Sequence, residues 1–110
     1  MPCHALVFDE VIISQLKKIG EDRHLRDILS RMFDKMEELG PRAGTLIDSR
    51  LFLYEIKSKH PPIRMYYRHI KQTDEVYVFE FEMKTSPKKQ ERTIWRLKRT
   101  AGLKSQDQTE

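Results

Sequence analysis

The stretch "LFLYEIKSKHPPIRMYYRHIKQTDEVYVFEFEMK", residues 51–84, decides the fold. It holds three strand-like runs, about 51–57, 63–70 and 75–84, separated by "SKHPP" and "KQTD". Connections this short join antiparallel neighbours, so the runs predict a hairpin meander. Successive side chains of a strand point to opposite faces. On that parity Phe52, Tyr54 and Ile56 share a face, as do Ile63, Met65 and Tyr67, and then Tyr77, Phe79, Phe81 and Met83. This apolar face is expected to be buried. The other face carries Glu55 and Lys57, then Arg64, Tyr66 and Arg68, then Glu80, Glu82 and Lys84. Leu51, Leu53, Val76 and Val78 also fall on it, so one end of it is expected to lie under the last helix or under a partner.

What covers the apolar face is written to the N-terminal side. "CHALVFD" alternates weakly and reads as a short first strand. Asp9 is placed to cap "EVIISQLKKI", whose Ile12, Leu16 and Ile19 share one helical face, and Gly20 ends it. In "EDRHLRDILSRMFDKMEELG", Leu25, Ile28, Leu29, Met32, Met36 and Leu39 keep a 3.6-residue period, and Gly40 with Pro41 stops the helix. Residues 40–50 read as a loop. To the C-terminal side, "SPKKQERTIWRLKR" predicts a basic helix with Ser86 as cap, Pro87 at its first position and Gly102 at its end. Trp95, at helical spacing from Ile94 and Leu97, is expected to pack. The expectation is one α+β domain over 1–104, with two N-terminal helices on a small antiparallel sheet, a C-terminal basic helix and a disordered polar tail at 105–110.

Charge is unevenly spread. Of 110 residues 35% are charged, above the usual quarter, and the net charge is +4. Residues 1–49 hold seven Lys/Arg and nine Asp/Glu; residues 50–104 hold fourteen against six. A basic second half suits an anionic partner such as nucleic acid, although a merely solvated basic surface has the same composition. The single cysteine, Cys3, excludes an internal disulfide and fits a reducing cytoplasm. It stands beside His4, but no second ligand cluster in the sequence completes a metal site. No apolar run approaches the ~18 residues of a membrane span, and the N-terminus lacks a signal-peptide core.

The residues suited to chemistry lie on the polar parity. Arg64, Tyr66 and Arg68 line one strand, while Lys57, Lys59 and His60 crowd the adjacent strand end and loop. Lys84 precedes a helix start that carries Lys88 and Lys89. Cations converging on a helix N-terminus suit a phosphate. Interleaved Glu and Lys/Arg are also the ordinary outer face of an antiparallel sheet, each cross-strand pair contributing roughly 0.2–1 kcal/mol.

These segments, in this order and covering roughly residues 7–100, resemble the RelE/ParE superfamily of bacterial toxins. The resemblance is closest to the HigB-like branch that includes phage-derived host-killing proteins. It rests on the helix pair ending in Leu-Gly, on "LYEIKS", "IRMYYRHI" and "VYVFEFEMKTSP", and on the final helix. The branch typically shows Leu-Tyr-Glu-Leu-Arg, then Tyr-Arg-x-x-Tyr, then a strand ending Phe-x-Lys-Lys-Thr with Pro opening the last helix. The resemblance implies a RelE-like fold. It also implies an mRNA interferase, an endoribonuclease acting on the translating ribosome without metal or other cofactor. In that reaction the ribose 2′-hydroxyl attacks the adjacent phosphate and leaves a 2′,3′-cyclic phosphate and a 5′-hydroxyl. The implied partners are the ribosome, mRNA and a cognate antitoxin, in this branch often a helix-turn-helix protein.

Carried over residue by residue, Arg64 matches the arginine of Tyr-Arg-x-x-Tyr and is expected to stabilise charge on the five-coordinate phosphorus. Lys57 and Lys59 match basic positions on the preceding strand and its end. Lys84 matches the second lysine of Phe-x-Lys-Lys-Thr, and Glu55 the glutamate of Leu-Tyr-Glu-Leu-Arg. Ile63 and Met83 replace the usual Tyr and first Lys, and "MKTSP" is about two residues short before its proline. The Tyr or His that several relatives carry near that segment is absent between Met83 and Arg99, where Trp95 is the only aromatic. The candidate catalytic set is therefore Arg64, Lys84, Lys57 and Glu55, with Lys59, His60, Tyr66, Arg68 and Lys88 for RNA contact. The missing acid or base keeps a second class open: a non-catalytic module, either a ParE-like gyrase inhibitor or a decayed phage toxin that only binds its antitoxin or nucleic acid. A third possibility is an unrelated basic RNA-binding domain.

Overall fold

The computed structural model describes residues 4–83 and 87–108, with side chains described to position 100. In chain order the elements are β1 (Leu6–Phe8), α1 (Glu10–Ile19), α2 (Arg23–Leu39), a 3-10 turn (Gly40–Ala43), β2 (Thr45–Asp48), β3 (Leu53–Lys59), β4 (Pro62–Ile70), β5 (Glu75–Met83) and α3 (Pro87–Gln108). The five strands form one sheet in the order β1-β5-β4-β3-β2. The meander β3–β4–β5 is antiparallel, as its short connections predict. β1 adds in parallel to β5, and β2 adds antiparallel to β3.

Local signals position both N-terminal helices. Asp9 accepts from the Val11 N–H at 2.9 Å and Asp22 from the Leu25 N–H at 3.1 Å, which satisfies donors that a helix start leaves orphaned. Gly20 and Gly40 close α1 and α2 at φ of 56° and 55°. The expected stripes, Ile12, Leu16 and Ile19 from α1 and the six apolar positions from Leu25 to Leu39, all pack into one core with Ile56, Ile63, Met65 and Tyr67 of the sheet. Gln15 reaches from α1 to β5 and exchanges two hydrogen bonds with the Phe81 backbone, at 2.7 and 2.9 Å. It satisfies β5 beyond Val78, where the pairing with β1 ends.

The expected parity fails in β5. The β4–β5 register shifts between Tyr66, which pairs with Glu80, and Tyr67, which pairs with Val78. One extra residue in β5 thus moves its first half to the opposite parity. Val76 and Val78 join Phe81 in the core under α1 and α2, whereas Tyr77 and Phe79 join Leu53, Tyr66 and Leu97 in a second core under α3. The sheet is therefore covered on both faces.

Three further expectations are corrected. The 40–50 loop contains the 3-10 turn and β2. Phe52 is not in a strand but sits in the turn before β3 at φ 52°. The α3 backbone stays helical through Gly102 to Gln108, into the stretch expected to be a disordered tail, since an interior glycine weakens a helix by only about 1 kcal/mol. Pro87 does open α3. The Ser86 cap lies outside the described residues.

Candidate functional site

The polar face is ordered by strand register. Lys57, Arg64 and Glu82 lie side by side across β3, β4 and β5, and Glu55, Tyr66 and Glu80 form the next row. α3 lies over both rows. Its Gln90 donates to Glu55 at 3.2 Å, its Thr93 to Glu82 at 2.6 Å, and its Arg96 grips Glu80 with both terminal nitrogens at 2.9 and 2.5 Å.

Glu55 is the centre of the first cluster. It is buried, accepts from Arg64 Nη1 on both carboxylate oxygens at 3.2 and 3.1 Å, and has the Lys57 ammonium 3.8 Å away. Among the described residues both of Arg64's hydrogen bonds run through Nη1. The carboxylate thus anchors one terminal nitrogen of the guanidinium, and neither contact uses Nη2 or Nε. Arg64 is about one-fifth exposed and Lys57 nearly half, so the cluster opens to solvent on the Lys57 side. Arg64, Lys57 and Glu55 are brought together as expected, but the cations do not form a purely positive pocket. Glu55, Glu80 and Glu82 of the two rows stand against Lys57 and Arg64 of the first row and Arg96 of the overlying helix.

The RNA-contact set is dispersed. Tyr66 is wholly buried; its hydroxyl donates to Glu82 at 2.6 Å, and burial followed by the Glu82 contact pushes its pKa far up. It is a structural donor and not a surface for a base. Arg68 lies beyond the second row, where its Nε donates to the Leu51 carbonyl at 3.1 Å, and burial lowers its pKa. Lys59 is exposed at the end of β3, and Lys88 is exposed in the first turn of α3. His60 is exposed at the hairpin tip and lines a groove with Arg31 and Lys35 of α2. Lys84 lies outside the described residues.

A second patch lies on the outer side of α3. Trp95 was expected to pack, yet it is 62% exposed, while Ile94 and Leu97 take the positions against the sheet. Arg99 stacks over its ring at 5.0 Å, and Asp48, Arg50, Leu51 and Lys98 line the same shallow groove. An exposed indole beside three cations is the aromatic-plus-cation combination that the sequence had suggested for the strands. Helical periodicity assigns a residue to a face, but the sheet under α3 covers a narrow stripe and Trp95 lies beside it.

No protein-family model matches the chain, and no curated protein matches it by sequence. Solved structures do. The isolated E. coli RelE toxin superposes with a TM-score of 0.63 at 21% identity, covering 86% of this chain and 99% of RelE. A doubly arginine-to-alanine-substituted E. coli RelE in the free state gives 0.65 at 21% identity, covering 87% and 98%. A chain of the intact E. coli RelBE toxin–antitoxin complex gives 0.62 at 21% identity, covering 76% and 100%. The fold is RelE-like over most of the chain. Among the described residues no helix is long and apolar enough to cross a membrane.

Proposed function

We propose that the chain is the toxin of a toxin–antitoxin pair and cleaves mRNA on the ribosome. The observation that carries this reading is the Glu55–Arg64–Lys57 cluster: a buried carboxylate that orients a guanidinium next to an exposed ammonium, at the open end of a RelE-like sheet. Those are the parts that transesterification of RNA requires. Arg64 would hold two non-bridging oxygens of the scissile phosphate with the nitrogens that Glu55 does not engage. Glu55 would take the proton of the 2′-hydroxyl as its oxygen bonds to phosphorus. The P–O5′ bond breaks, and the Lys57 ammonium protonates the leaving oxygen. The products are a 2′,3′-cyclic phosphate and a 5′-hydroxyl. Lys59, Lys84 and Lys88 would contact flanking phosphates, and the antitoxin would be a small helix-turn-helix protein, as the resemblance to the HigB-like branch implies.

Induced expression tests this reading. Growth should stop, transcripts should shorten at defined positions with 5′-hydroxyl ends, and Arg64→Ala should abolish both while leaving a cooperative melting transition. Arg64→Lys should retain little activity, because an ammonium cannot reproduce the planar fork. Normal growth with intact transcripts at high expression would overturn it.

The balance of three carboxylates in the rows against Lys57, Arg64 and the overlying Arg96 favours a second reading, a module that binds without cutting. Growth arrest with intact mRNA and with DNA-damage signalling would select gyrase poisoning. Steeply salt-dependent binding to naked RNA, with no need for ribosomes, would select a simple RNA-binding domain.

A further inference from the structure

At the other end of β4 from Arg64, three ligand-type side chains converge from positions far apart in sequence. His4 Nδ1 lies 3.1 Å from Asp74 Oδ1, and His69 Nε2 lies 2.7 Å from the same oxygen. The donor atoms of all three lie within 4.8 Å of one another. We propose that His4, His69 and Asp74 form a binding site for a divalent transition-metal ion of the zinc class.

The spacing is close to what such an ion needs. Zinc–nitrogen and zinc–oxygen bonds of about 2.0–2.1 Å in a tetrahedron place neighbouring donors about 3.3 Å apart, so the two contacts to Asp74 need slight opening, while the two imidazole nitrogens, within 4.8 Å of each other, would draw together around the ion. Two imidazoles and one carboxylate are a donor set suited to zinc, and three protein ligands leave one position for water or another group. Both imidazoles are largely covered, at 14% and 12% side-chain exposure, whereas the Asp74 carboxylate is 58% exposed. The site thus has covered nitrogen donors and an open entrance on the carboxylate side.

Both histidines are held in place by features that a chance surface contact would lack. The His4 backbone N–H donates to the Glu37 carbonyl at 2.9 Å, and the next residue's carbonyl accepts from Val76 at 2.8 Å. The His4 ring lies flat against Gly40, where a Cβ would sit 2.5 Å from Nε2. That packing turns Nδ1, not Nε2, toward Asp74. His69 is fixed by its pairing with Val76 in β5, and its ring meets His4 edge-on at 6.0 Å. Without an ion the carboxylate oxygen serves as the common partner of both imidazoles. The sequence offered only the Cys3–His4 neighbourhood, and the two missing ligands lie more than sixty residues away.

A hydrogen-bonded clip would have the same geometry, and the test separates the two. Zinc chloride is titrated calorimetrically into the full chain carrying Cys3→Ser, which removes the thiol as a competing ligand. Expected are one equivalent of bound ion and a melting temperature raised by about 5 °C at saturation. The cobalt(II) form should show visible absorption of tetrahedral intensity. His69→Gln keeps a donor for Asp74 but removes the imidazole, and Asp74→Asn keeps an acceptor on an exposed turn but removes the carboxylate. Each should weaken binding by at least about 10-fold with the apo melting temperature little changed. No binding heat with an unshifted melt, or equal affinity in both variants, would overturn the proposal. The outcome is independent of RNA cleavage, since Arg64 lies at the opposite end of the strand.

Discussion

Met65 and Tyr66 are neighbours in β4 and both are wholly buried, yet they face different interiors. Met65 looks into the core beneath α1 and α2, where Ile12, Leu29, Met32 and Met36 supply almost entirely apolar surface. Tyr66 looks toward α3, where apolar contact with Leu53, Phe79 and Leu97 is mixed with buried Glu55 and Glu80. The first interior is held by removal of hydrocarbon from water. The second depends on pairing every carboxylate with a donor, because an unpaired buried charge is costly. Among the described residues no buried side-chain polar atom lacks a partner, so the second interior is complete as it stands. A face of that kind stores chemistry within reach of the surface, whereas the first face only stabilises.

The sharpest way to break this contrast is to remove one side chain from each interior. Leu29→Ala should destabilise the fold by about 2–5 kcal/mol in denaturant unfolding, from lost burial plus the cavity left behind. Arg96→Ala should cost less, about 1–3 kcal/mol, chiefly by leaving Glu80 buried without its bidentate partner. The double variant Arg96→Ala with Glu80→Gln should recover part of that loss. If Arg96→Ala cost as much as Leu29→Ala, or if Glu80→Gln recovered nothing, the α3 interior would be held by packing alone.

A smaller effect belongs to the margin of the α3 face. Burial alone would raise the Asp48 pKa, but the Leu51 and Arg50 N–H groups donate to it at 3.1 and 2.9 Å, and the Arg50 and Lys98 cations stand nearby. Together they hold its pKa below the ordinary value. A depressed folded-state pKa stabilises above the unfolded value and is lost as pH falls through the folded one. Asp48→Asn should therefore melt below wild type at neutral pH, and the gap should close from about pH 4 downward. A gap that persisted unchanged in acid would show that the hydrogen bonds, not the charge, were responsible.

The helices were legible because their periodicity and caps are local: Asp9, Gly20 and Gly40 act within a turn of their own positions. The meander was legible from its short connections, and so was the adjacency of Lys57, Arg64 and Glu55, which follows from register. The β5 bulge was not, since Val76, Tyr77, Val78 and Phe79 are all apolar and a strand covered on both faces gives no alternation to read. Without the bulge in view, the second core and the burial of Tyr66 were hidden. β2 was missed because four residues between Gly44 and Ser49 carry little pattern. The pairing of Arg96 with Glu80 was also beyond reach, because it depends on how α3 settles across the rows.

The outer strands have a consequence for the free protein. β1 is three residues long, and β2 is four with a register irregularity between Leu46 and Asp48, whereas the seven- and nine-residue strands are enclosed between them. A long unpaired rim would offer a template on which further copies could add strand by strand into insoluble fibres; here β1 and β2 are too short, and β2 too uneven, to seed that growth, and where β5 runs on past β1 the Gln15 amide occupies the Phe81 backbone.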